Sequence, residues 1–145
     1  MIRLLRTLIA CAAFTLPLVA APVPKAVMKQ SDEKAILGHW RGTTLPVSAN
    51  QTVYTFCFSA DGTCGIGHNG QAALSDCVYS LDPSGTPKRM KWLNGSERTE
   101  WRCVYELDGD MLRIGFVPPN QEVPNNLELK NNLTVYELKR VKEEK

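Results

Sequence analysis

Only two histidines, His39 and His68, occur among the 145 residues, which leaves little material for acid–base or metal chemistry. An excess of charge is also missing. The formal net charge is +2, and Arg3 and Arg6 account for it; without them 15 Lys and Arg face 15 Asp and Glu. A balanced chain argues against nucleic acid or an anionic membrane as the main partner. There is no Gly-x-Ser-x-Gly elbow, no Walker loop and no Cys-x-x-Cys pair, so the usual marks of an acyl-transfer nucleophile, a phosphate cradle and a zinc or redox site are absent. Gly62-Thr63-Cys64-Gly65-Ile66-Gly67 is Gly-rich but lacks a Gly-Lys-Ser/Thr ending and opens no helix. Cys64 and His68 have no second ligand pair nearby. Glu106, Asp108 and Asp110 bring three acids together, but calcium takes 6–8 oxygens in a built cage and this segment already reads as a hairpin turn. His39 and His68 read as surface or loop residues. These absences point to a non-catalytic protein with no cofactor and no metal.

What is present begins with a leader. Met1 to Arg6 is short and basic, and an apolar run from Thr7 to Ala21 follows. That layout is a secretory signal peptide, and the run is too short to span a bilayer. Residues 1–21 are therefore expected to direct export to an extracytoplasmic location, and residues 22–34, Pro-rich and polar, to act as a linker. Ser31 is placed to cap a short helical turn running to Leu37. A charged tail occupies 142–145.

Between 35 and 141 the helical period vanishes. Short alternating segments are separated by Ala60-Asp61-Gly62, Asn69-Gly70, Asp82-Pro83-Ser84-Gly85, Asn94-Gly95 and Asp108-Gly109. The segments fall at 38–43, 52–59, 63–67, 74–81, 87–93, 99–107, 111–117 and 133–141, with a Pro/Asn-rich loop at 118–126. Eight sequential hairpin-linked strands with one apolar face predict an all-β, antiparallel up-and-down barrel, because closure removes the two sheet edges. The alternation sends Trp40, Phe56, Phe58, Tyr79, Trp92, Trp101, Tyr105 and Phe116 inward. Such rings either fill a small bore or line a cavity for one apolar ligand. Setting aside Cys11, four cysteines remain in an expected export product, which suggests two disulfides. A four-residue loop at 69–72 would set Cys64 opposite Cys77, and elimination then pairs Cys57 with Cys103.

Gly38-His39-Trp40 is similar to the Gly-x-Trp that opens lipocalins, where the Trp plugs the closed end of the barrel beneath a late-strand Arg. That resemblance implies a closure built on Gly38, Trp40 and Arg140. Tyr79-Ser80-Leu81-Asp82-Pro83, Pro87-Lys88, the run Tyr105 to Leu112, Phe116, Pro118-Pro119 and Leu138-Lys139-Arg140 extend the likeness. Their order and spacing over 35–141 closely resemble a lipocalin-like domain family of unknown function, expanded in planctomycete bacteria. The chain departs from it at Val123-Pro124, where the family has Arg-Pro, at Leu127, where it has an aromatic, and in its cysteines. The resemblance implies a fold and a bacterial, extracytoplasmic setting, and it implies no activity. The expectation is an exported binding domain, monomeric, holding a small apolar ligand in the barrel mouth. The alternative is a module that binds an envelope protein or inhibits a protease, built on a side-chain-filled barrel with residues 22–34 and 118–126 as arm and rim.

Overall fold

A computed structural model describes residues 31–95, 97, 99–129 and 133–142. The expected leader at 1–21 and most of the expected linker at 22–34 lie outside these residues. One short helix, α1 (Asp32–Ala35), precedes eight strands: β1 (Gly38–Leu45), β2 (Tyr54–Phe58), β3 (Thr63–His68), β4 (Gln71–Asp82), β5 (Lys88–Asn94), β6 (Thr99–Asp108), β7 (Met111–Val117) and β8 (Thr134–Arg140). Each strand pairs antiparallel with the next, and β1 pairs with β8, so the sheet closes into a barrel in strict chain order. All strands are near their expected positions, because alternation and turn residues mark both their faces and their ends.

Closure depends on a close approach. Gly42 pairs with Leu138, and a Cβ at Gly42 would lie 1.8 Å from the Glu137 carbonyl oxygen. Only a residue without a side chain lets the first and last strands come so near there. The β3–β4 hairpin shows how turn chemistry sets register. His68 faces Gln71, leaving the two-residue loop Asn69-Gly70, with φ of 49° and 82°. Both residues favour this left-handed backbone, and the tight turn suits the twist of the flanking strands. The loop is thus two residues, not the four expected. Cys64 still ends opposite Cys77, because the ladder slips between Cys64 and Ile66 and again between Ile66 and Gly67.

The core has two parts. The bore holds Trp40, Phe56, Phe58, Met90, Trp92, Tyr105, Leu112, Ile114 and Leu138, with Tyr79, Trp101, Phe116 and Tyr136 packed against them. A smaller core lies outside the wall, where Leu127 covers Val104 and Val135. Gly115 sits between those two valines in the ladder, and a Cβ there would come within 2.7 Å of Leu127 Cδ2. The glycine is the socket that lets the loop after β7 lie flat on the barrel.

Candidate functional site

The closed end is built from the first residues of the domain. Ser31 stands at the helix N-cap, but its side chain makes no cap; its carbonyl accepts from the Lys34 and Ala35 amides. The carboxylate of Asp32 instead accepts from Tyr105 Oη–H at 2.8 Å and pairs with Lys88 Nζ at 2.6 Å. Burial pushes the Tyr105 phenol well above its ordinary range, and the bond to the Asp32 carboxylate pushes the same way. Trp40 is fully buried, and its Nε1–H donates to the Ile36 carbonyl at 2.7 Å. The Arg140 guanidinium lies over the Trp40 ring, 4.2 Å from its centroid. It also donates to the carbonyls of Leu37 and Ala35 and to Asp110 Oδ1. Gly38, with φ of 109°, brings its backbone close beneath the same guanidinium.

The bore is occupied. Phe56, Phe58 and Phe116 surround Trp92 edge-on, with centroids 5.6–5.9 Å away. Phe58 meets Tyr79 at 5.0 Å, and Phe56 meets Tyr136 at 5.2 Å. The eight rings singled out by alternation all belong to this one cluster. Tyr136 and Tyr54 join it; β8 alternates too weakly to single out Tyr136, whereas Tyr54 shares the alternating face of Phe56 and Phe58 and was simply not counted among the inward rings. Edge-to-face contacts of this kind contribute about 0.5–1.5 kcal/mol each beyond area burial.

The opposite end is a mouth of half-buried aromatics. Tyr54 begins β2, Trp101 lies early in β6, and Phe116 and Tyr136 stand at the matching ends of β7 and β8. Tyr54 meets Tyr136 at 4.9 Å, Tyr136 meets Phe116 at 5.5 Å, and Phe116 meets Trp101 at 6.4 Å. Burial raises the Tyr136 phenol to about 12, with Tyr54 and Cys103 adding to it.

The cysteines correct the sequence reading. Cys57, Cys64, Cys77 and Cys103 are all free. Cys64 and Cys77 do face each other. The pair sits just where the register breaks, and a bridge needs both Cβ vectors aimed at each other, which an irregular ladder does not guarantee. Cys57 and Cys103 are on opposite sides of the wall, since Cys103 is buried in the bore and Cys57 points outward. Burial pushes the Cys64 and Cys103 thiols far up, so they behave as small apolar core residues.

The outer wall holds a pairing that the sequence did not announce. His39 is exposed, as expected, but its Nε2 lies 4.0 Å from Cys57 Sγ. His68 caps the far end of β3, apart from the inward-facing Cys64. No carboxylate bonded to either imidazole occurs among the described contacts. Among the described residues, no three or more His, Cys, Asp or Glu gather as metal ligands, and no helix is long and apolar enough to cross a membrane. No protein-family model, curated protein or solved structure matches this chain.

Proposed function

We propose that the protein is an exported, non-catalytic binding module that holds a protein partner on the aromatic mouth of a filled barrel. The observation that carries this reading is the ring cluster itself. Trp92 and its neighbours occupy the bore that a small apolar ligand would need. Apolar recognition is then left to the half-buried rim of Tyr54, Trp101, Phe116 and Tyr136. Tyrosine and tryptophan give large, rigid contact area at small entropic cost, and they dominate the centres of protein interfaces. The leader at 1–21 supports export. With the four described thiols free, cysteine usage no longer adds to that support. The lipocalin-like resemblance fits the same picture of a rim that binds and a floor that closes.

A photo-crosslinking residue in place of Tyr54, in the full chain exposed to the cell envelope of its host, tests the reading. The expected product is a discrete adduct of protein mass, absent when the crosslinker replaces Lys139 on the outer wall. A co-purifying small apolar molecule in native mass spectra, with no protein adduct at position 54, would return the protein to the ligand-carrier reading.

A further inference from the structure

On the outer wall, His39 of β1 and Cys57 of β2 are direct cross-strand partners, and Cys57 is in turn the partner of Gly65 on β3. The three make a row of imidazole, thiol and gap, because the glycine puts no side chain beside the sulfur. The row lies in an open groove of about 540 Å³, flanked by Thr55 and Ser59. Both ligating atoms are reachable from solvent, since His39 is exposed and Cys57 is half-buried. The other three described thiols are buried.

We propose that His39 Nε2 and Cys57 Sγ form a binding site for a soft, low-coordinate metal ion, Cu(I). Thiolate sulfur selects soft ions and imidazole suits copper, whereas hard cations need oxygen donors that this row lacks. Metal–sulfur and metal–nitrogen bonds of about 2.3 and 2.0 Å span the 4.0 Å gap at an angle of roughly 135°. That angle is wider than a tetrahedral ion takes between two ligands, and it suits an ion held by two or three. On binding, Cys57 releases its proton to solvent as the copper–sulfur bond forms. His39 binds through Nε2 and keeps its proton on Nδ1, and copper stays in its reduced state throughout. The strands hold both ligands in place before the ion arrives, so little ordering is needed on binding.

Anaerobic native mass spectrometry with Cu(I), in competition with bicinchoninate, tests the site. The full chain is used with Cys11→Ser, so that only the four described thiols compete. One ion per chain is expected. Cys57→Ser should abolish binding, and His39→Gln should weaken it by at least the roughly 10-fold that loss of a mere outer-shell partner costs. Both substitutions lie on the outer wall, and unchanged circular dichroism would show the barrel intact. One ion still bound by Cys57→Ser would place copper on the interior thiols and overturn the proposal. Unchanged affinity in His39→Gln would overturn it too, since the imidazole would then have no part.

Discussion

Arg140 makes more contacts at the closed end than any one role requires. Its guanidinium stacks on Trp40, takes two backbone carbonyls from the segment that ends α1, and reaches Asp110. A planar fork can do all of this at once and an ammonium cannot. Arg140→Ala should therefore cost about 2–4 kcal/mol, the sum of a desolvated cation–π contact and charge-assisted hydrogen bonds. Arg140→Lys should recover little of it, and urea unfolding checks both. Tyr105 and Tyr136 make a second prediction. Burial raises both phenols above their ordinary value, Tyr136 to about 12. A raised folded pKa means that the folded chain keeps its proton after the unfolded chain has lost one. The stabilisation is thus complete below about pH 10 and is lost as pH climbs toward 12 and beyond. Stability measured by equilibrium unfolding should hold level up to about pH 10 and fall steadily from there to about pH 12, and Tyr105→Phe should flatten that fall. The Trp40–Arg140 contact was anticipated only through the likeness of Gly38-His39-Trp40 to the Gly-x-Trp of lipocalins, since pattern and spacing say nothing about a partner 100 residues away. The ring of Asp32, Lys88 and Tyr105 was not visible, since its members lie 56 and 73 residues apart.

At the scale of elements, strand positions were legible and strand slips were not. Alternation reports which side a residue faces, and turn residues report where a strand stops. Neither reports a bulge, because a slipped ladder conserves alternation on both sides of the slip. The β3–β4 pair illustrates this: a wrong loop length was compensated by two irregularities, so the cysteines met as expected for a different reason. The loop after β7 was legible only as Pro- and Asn-rich. Its anchor, Leu127, is 3% exposed and rests on the Gly115 socket between Val104 and Val135. Leu127→Ala should cost about 2–4 kcal/mol, as for a well-buried leucine with room to collapse. More tellingly, limited proteolysis should then cut within 118–129 many times faster while near-ultraviolet circular dichroism of the barrel is retained. Gly115→Val should release the same loop by displacing Leu127, and the two changes together should cost less than their sum, since both remove one contact.

For the whole molecule, the decisive question was whether eight inward rings fill a bore or line one, and the sequence left both open. Pattern gives direction but not reach: whether rings from opposite walls touch depends on the diameter that closure imposes. Closure has a further consequence. An open sheet can fray from an edge strand, but a barrel whose first and last strands pair has no edge to start from. Opening should then be cooperative, and the interior thiols can report it. Cys64, Cys77 and Cys103 lie on three different strands and all face the bore, whereas Cys57 faces out. A thiol reagent added to the native protein should modify Cys57 quickly and the other three only through global unfolding. Their three rates should coincide and rise together with denaturant, following the slope of equilibrium unfolding. If Cys64 and Cys77 react ahead of Cys103, the irregular β3–β4 ladder opens on its own, and the barrel has a seam at the place where its register breaks.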